Sequence, residues 1–425
     1  MDVTEELNDT ATSSTTTNDR SNKEYKIWRN NVPYLYDLLI SEKLDSPSMT
    51  VELLPGGETE GDHIVQRMVL GSGFQRGMNF LRLSSLKLPK ADAEYDAFRF
   101  ESDGFGSFGP ITGKISHEVE MHRKQIAIKG RYMPQKPNII AALSSNACSM
   151  ICVSDTKAYG SETRGDVSAS VILSGLTTVG TGLAWNKIKE GTIASTSNNK
   201  SIGIWDLQQN GVTSQAPVVT LKGHTDAAME LDWHPKCQTL MSSVGKDKSL
   251  LIWDTRSQTP MIGNLGDRSF EMTCVAFNPG SDYIVVTGST EKCLHMWDLR
   301  TPRNPLHKFG DLDDPVHRIQ WKTDKQTILA SSAGNRLHVW DMAKIGEEQT
   351  PEEAEDGPPE LTFVHAGHCR KITDFSYSPT DPELIASVSE DAIQVWKMTD
   401  YDIIEAAEGN EASAVNGDEI IDVEL

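Results

Sequence analysis

Apolar and polar positions alternate with a period of two along most of this chain, and one short stretch near its start breaks that rule. Tyr25, Trp28, Val32, Leu35, Tyr36 and Leu39 recur at steps of three and four, which is the apolar stripe of a helix. Ser21 and Glu24 form a capping box that would start it, so a helical segment is expected over 21–45, with a kink or break near Asn30 to Val32 ahead of Pro33. From Met49 the period is two. Met49 to Leu53, Gln66 to Leu70, Phe80 to Leu88 and Lys114 to Met121 read as strands between Gly-rich and Asp-rich turns, followed by Ile126 to Tyr132, Ile139 to Leu143 and Cys148 to Ser154.

A longer period is laid over the short one. Trp205-Asp206, Trp253-Asp254, Trp297-Asp298, Trp340-Asp341 and a weaker Trp396-Lys397 stand 48, 44, 43 and 56 residues apart, the repeat length of a four-stranded propeller blade. Trp185, Trp233, Phe277, Trp321 and Tyr377 precede those five tryptophans by 20, 20, 20, 19 and 19 residues, and Tyr132 fills the same slot in an earlier repeat whose Trp-Asp has decayed to Ser154-Asp155. Six phased repeats plus the strands between 49 and 121 make an all-β, seven-bladed propeller over 46–400. N-terminal strands should complete a blade begun at the C-terminus, because closure leaves no open sheet edge.

The repeats also explain residues that resemble a catalytic triad. His224, Ser242 or Ser243, Asp247 and Trp253 can form a buried relay, and His368, Ser387 or Ser389, Asp391 and Trp396 repeat the set. Recurrence per blade marks these as structural. Gly104-Phe105-Gly106-Ser107-Phe108-Gly109 matches a dinucleotide fingerprint but leads into a strand, whereas pyrophosphate needs a helix N-terminus. With no metal-ligand spacing either, the sequence calls for no catalytic residue, no cofactor and no metal.

Charge adds appendages to this scaffold. The net charge is -21, yet residues 345–362 hold seven acids and no base, residues 401–425 hold eight and no base, and the repeat body is nearly neutral. Residues 345–362 form an insertion that stretches the last Trp interval, read as a loop in the last blade. Residues 1–20 and 401–425 lack an apolar face and are expected to be disordered. Such acid repels nucleic acid and attracts basic proteins. No apolar run is long enough to span a membrane and the first residues do not form a signal peptide, so an intracellular, soluble protein is expected. The six cysteines should be reduced and mostly buried, and Ala158 to Ser170 should be a plain polar loop.

Several motifs are more specific: Glu24-Tyr25-Lys26-Ile27-Trp28, Pro33-x-Leu35-Tyr36-Asp37, Arg131-Tyr132-Met133-Pro134-Gln135, Lys344-Ile345-Gly346-Glu347-Glu348-Gln349 and Glu355-Asp356-Gly357-Pro358-Pro359-Glu360-Leu361. On these residues the chain resembles, over about 24–398, the histone-binding WD-repeat proteins that include the retinoblastoma-associated chaperones and the small subunit of chromatin assembly factor. The resemblance implies a groove between the N-terminal helix and the acidic Pro-Pro loop that takes the first helix of histone four. Leu35, Leu38, Leu39, Leu361 and Phe363 would give apolar contact, with Asp356 and Glu360 meeting arginine or lysine. Tyr25, Trp28 and Tyr36 would mainly pack the helix on the propeller.

The resemblance also implies a second site on the channel face, for the basic tail of histone three or similar peptides. There the chain departs from its relatives. Arg123, Lys124, Gln125, Ile126, Ala127, Ile128, Val179, Thr181, Met229, Pro315 and His317 stand where the family has acidic or otherwise different residues, and only Glu271 and Glu390 remain. Tail binding should therefore be weak or altered. The implied role is a non-enzymatic scaffold in the nucleus, with the cytoplasm also open to it. Its partners would be histones and subunits of chromatin assembly, acetyltransferase, deacetylase or Polycomb-type complexes, without direct nucleic-acid or membrane binding. An adaptor for ribosome assembly or a ubiquitin ligase is the alternative.

Overall fold

The structure, a computed structural model, describes residues 23–399 apart from 61–62, 73–78, 90–97, 101–105, 109–114, 124–125, 145–148, 156–170, 177, 179, 208–213, 258, 266–268, 311 and 356. The terminal stretches, Ser21 of the capping box and the loop from Ala158 to Ser170 therefore lie outside the described residues.

Strands assemble into seven separate sheets, each led by an inner strand that carries the aromatic slot or its equivalent. Blade 1 comprises Ser48–Glu60, His63–Ser72, Asn79–Pro89 and Ser116–Arg123, and blade 2 opens with Ala127–Met133. Blades 3 to 6 open with Leu183–Trp185, Ala228–Trp233, Met272–Phe277 and Val316–Trp321. Blade 7 contains Ile372–Tyr377, Ile385–Ser389 and Ala392–Met398, and its fourth strand is Tyr36–Lys43 from the N-terminal end. That strand runs antiparallel to Ala392–Met398, with Leu39 opposite Trp396 and Ile40 opposite Val395, so the two ends of the ring are sewn together by backbone hydrogen bonds.

This closure corrects the helical reading of 21–45. The helix occupies residues 23–35 of the described chain and residues 36–43 are strand. The apolar run Tyr36, Leu38, Leu39, Ile40 fits both periods, and pairing with the last blade decides for the strand. Leu38 and Ile40 enter one core cluster and Leu39 another, on opposite faces as a strand requires. The helix also runs unbroken through Pro33, ending two residues later. Near a C-terminus the missing donor costs little, because few helical turns follow.

The insertion also moves. Its flanking strands, Arg336–Asp341 and Leu361–His365, are neighbours in blade 6, not in the last blade. The Trp-Asp pair closes a blade's third strand, so the fourth strand falls in the next sequence interval. Gly106–Phe108 pairs with Tyr36–Lys43 as a further strand of the closing sheet, which removes the dinucleotide reading of that glycine run.

Buried tryptophans anchor the blades. Trp253 Nε1 donates to Ser243 Oγ at 2.7 Å, His224 Nε2 meets the same oxygen at 2.6 Å, and His224 Nδ1 meets Asp247 at 3.0 Å. Burial would raise the Asp247 pKa, but bonds from His224, Ser249 and the Thr225 amide outweigh it and bring the carboxyl down to about 2. In blade 7 Trp396 and His368 share Ser387, and Asp391 is reached through Ser389. A relay with its members paired is tolerated in a core. Among the described cysteines, Cys237, Cys274, Cys293 and Cys369 are free thiols; Cys274 and Cys293 are buried, whereas Cys369 is exposed.

Candidate functional site

The helix lies against the outer strands of blades 6 and 7. Its buried face is Trp28 and Val32, continued by Tyr36, with Tyr25 and Leu35 half-buried beside them. A polar chain fixes the seat: Trp28 Nε1 donates to Tyr36 Oη at 2.9 Å, and Tyr36 Oη meets His365 Nδ1 at 2.7 Å. His365 belongs to the strand that follows the insertion, so the relay ties the helix directly to that strand. Burial pushes the His365 pKa well below the ordinary imidazole range, with His368 adding to the shift. Gly367 lets the indole approach, since a Cβ there would stand 2.6 Å from the Trp28 ring. At the helix end, the Thr399 amide donates to the Leu35 carbonyl at 3.0 Å.

The insertion holds its own shape. Asp341 caps a short 3-10 turn, Met342–Lys344, and Gly346 follows in a left-handed conformation at φ +82°. Thr350 and Glu353 form a capping box, with the Thr350 amide donating to Glu353 and the Glu353 amide to Thr350 Oγ1. Glu347, Glu348, Glu352, Glu353 and Glu355 are all exposed. The acid therefore faces solvent from a constrained loop whose foot, Leu361–His365, is in contact with the helix seat.

The residues expected to wall a groove divide on this geometry. Leu35 and Leu361 are half-buried, each at an edge that a ligand could reach. Leu38 and Leu39, exposed by 4% and 0%, are core residues of the closing strand and cannot touch a ligand. Phe363 is also buried, edge-on to Tyr36 at 5.4 Å and tilted over Trp396 at 5.7 Å. Glu360 is buried and its Oε1 already meets His307 Nε2 at 2.8 Å. A paired, buried carboxylate offers little to an incoming base. Asp356 lies outside the described residues. Sequence reasoning missed two exposed apolar residues of the helix, Ile27 at 62% and Tyr34 at 74%. Seven residues apart, they share a helix face, off the stripe that packs the propeller.

On the channel face, Ile128, Thr181, Met229 and His317 line the mouth of the central channel together with Glu390, while Glu271 is half-exposed. Lys124, Gln125, Val179 and the Arg123 side chain lie outside the described part of the chain. Deeper in the channel is a charge network that the sequence did not announce. Lys129 pairs with Glu230; Arg131 and Arg318 hold Asp374 at 2.9 and 3.2 Å; and Glu52 accepts the Tyr132 amide at 2.6 Å. Burial raises the Glu52 pKa to about 7 and lowers that of Lys129 to about 8. Asp374 behaves differently: burial works to raise its pKa, but Arg131 and Arg318 outweigh it and keep the carboxyl ionised. Lys129, Glu230, Arg318 and Asp374 each stand three positions before the aromatic slot of their own repeat, a periodic signal that was present but unread.

Among the described residues no group of three His, Cys, Asp or Glu side chains could hold a metal, and no helix is long and apolar enough to cross a membrane. Two family models match. Residues 23–90, which span the helix, the closing strand and three strands of blade 1, match the model described for histone-binding protein RBBP4 or its counterpart in the CAF1 complex. Residues 215–254 and 262–298 match the WD domain, G-beta repeat.

Proposed function

We propose, for a chain that belongs to the histone-binding WD-repeat family, that it is a non-enzymatic scaffold which holds histone four by its first helix. The ligand lies on the side of the propeller, between the outer face of the N-terminal helix and the acidic insertion. One observation carries this reading: the helix is seated through Trp28, Tyr36 and His365 on the strand that leaves the insertion, so a constrained acidic loop and an apolar helix edge adjoin. Ile27, Tyr34, Leu35 and Leu361 supply apolar contact, and Glu352, Glu353, Glu355 and Asp356 supply the charge that meets arginine and lysine. Leu38, Leu39 and Phe363 hold the seat from behind. The channel face, where basic or uncharged residues replace carboxylates, contributes little to histone-tail binding. Presentation of the histone to chromatin assembly or modifying complexes in the nucleus follows from this role.

Calorimetric titration of the full chain with a peptide of the first helix of histone four tests the reading. Reversing the charges of Glu352, Glu353, Glu355 and Asp356 together should weaken binding by about tenfold or more at low salt, and salt should erase much of the difference. Undiminished binding by that variant would remove the loop from the site. Recovery of ribosomal or ubiquitin-ligase components without histone would favour the adaptor reading instead.

A further inference from the structure

Around the channel mouth the seven blades each contribute one residue at the same register, and together these form a cup of about 380 Å³. We propose that this cup receives an apolar side chain from an extended, uncharged peptide segment of a partner protein, a site separate from the side groove.

The rim carries no free charge. Met49, Ile128 and Met229 enter it from blades 1, 2 and 4. Thr181, Thr273 and Thr373 enter from blades 3, 5 and 7, and each hydroxyl is engaged across the blade boundary, donating to the carbonyls of Met229, Val316 and Ser48 at 2.6, 2.5 and 2.7 Å. Their hydrogen-bonding capacity is turned into the wall, which leaves methyl groups to face a ligand. His317 completes the ring from blade 6, and burial together with the nearby Lys371 lowers its pKa to about 4, so it is neutral. Asp314 alone opposes that shift.

The floor is ionic but satisfied. Lys129 is paired with Glu230, and Asp374 with Arg131 and Arg318. A lysine or arginine pushed into the cup would lose its water and meet Lys129 and Arg318 without finding an unpaired carboxylate. A glutamate would meet Glu230 and Asp374 in the same way. Either charge pays desolvation with no return, whereas an apolar group gains from leaving water. Lys371 and Glu390, the charged residues at the edge, flank the paired positions Ile372 and Ser389, so opposite signs sit side by side and leave little net field. The complementary occupant is therefore uncharged and apolar.

Selection of random displayed peptides on the full-length chain tests this, with synthetic copies of the enriched peptides measured by fluorescence polarisation. The enriched peptides should share a leucine, isoleucine, methionine or phenylalanine flanked by uncharged residues. Ile128→Asp and Met229→Asp should each weaken them by about tenfold or more, with the binding of the histone-four helix peptide left unchanged. Enrichment centred on lysine or arginine, no enrichment, or indifference to both variants would overturn the proposal. Should either variant unfold, methyl NMR of the unaltered protein decides: the Met49 and Met229 signals should move on peptide addition, and static signals would refute the site. Because the helix peptide is read separately, failure of the cup and failure of the groove are distinguishable.

Discussion

Replacing Tyr36 by phenylalanine isolates the polar part of the helix seat. The ring is 1% exposed and edge-on to Trp28, Phe363, His365 and Trp396 at 5.4 to 5.9 Å, so the substitution preserves shape and removes one oxygen. That oxygen accepts the Trp28 indole proton and meets His365 Nδ1. Both partners are buried, and each would lose that bond. An orphaned buried group costs roughly 1–3 kcal/mol, so Tyr36→Phe should lose about 2–4 kcal/mol of helix docking. Tyr34→Phe, two residues away but 74% exposed, should stay within about 0.5 kcal/mol of wild type. Hydrogen exchange is the discriminating assay. Amide protection over residues 23–35 should fall in Tyr36→Phe while blades 3 to 5 keep theirs, and affinity for the histone-four helix peptide should fall with it. Unchanged protection of the helix would refute the claim that this relay, rather than apolar contact alone, seats it.

Three further outcomes follow from the same geometry. Gly367→Ala places a Cβ 2.6 Å from the Trp28 ring and 2.3 Å from Gln394 Oε1, so the helix should loosen by roughly 1–3 kcal/mol, read as faster proteolysis at Arg29 with little change in the blades. Arg131→Met removes one counterion of buried Asp374 and should cost roughly 3–5 kcal/mol in urea unfolding, towards the lower end because Arg318 remains; Asp374→Leu added to it should recover much of the loss. Acid should destabilise the fold between pH 6.5 and about 4. His365 and His368 have pKa values depressed by burial, His368 to about 3, so over that range the unfolded chain binds protons that the folded chain refuses. Their stabilisation is complete above the unfolded value and is lost as pH falls. The loss by pH 5 is about 2 kcal/mol for each, and a flat unfolding midpoint from pH 7 to 5 would count against their burial as neutral rings.

The scaffold was legible because its signals are periodic and redundant. A tryptophan every forty-odd residues, with an aromatic about 20 positions earlier, tolerates the loss of either marker in one repeat, so seven blades could be counted although Trp-Asp is absent from two. Single segments have no such redundancy. Tyr36 to Ile40 satisfies a helical and an extended period equally well, and what selects the strand is a partner more than 350 residues away. Local sequence carries no trace of that partner. Leu38 and Leu39 were consequently assigned to a binding surface when they belong to the core.

Charge was misread for a related reason. A carboxylate in sequence looks equally available whether or not a counterion awaits it. Glu360 and Glu355 stand five positions apart in one acidic run, yet the first is buried against His307 and the second faces solvent. Pairing across blades makes the same distinction in the channel, where Glu230 and Asp374 are neutralised by Lys129, Arg131 and Arg318 and so cannot attract a basic tail. The acid that can recruit a basic partner is therefore confined to the insertion, where short internal bonds such as Thr350 to Glu353 hold the backbone while leaving the carboxylates exposed. Exposure keeps each such charge in water, which makes its individual contribution small and salt-sensitive. Binding strength must then come from several of these charges acting beside an apolar edge, and the helix seat is what keeps that edge, Ile27, Tyr34 and Leu35, in place beside them.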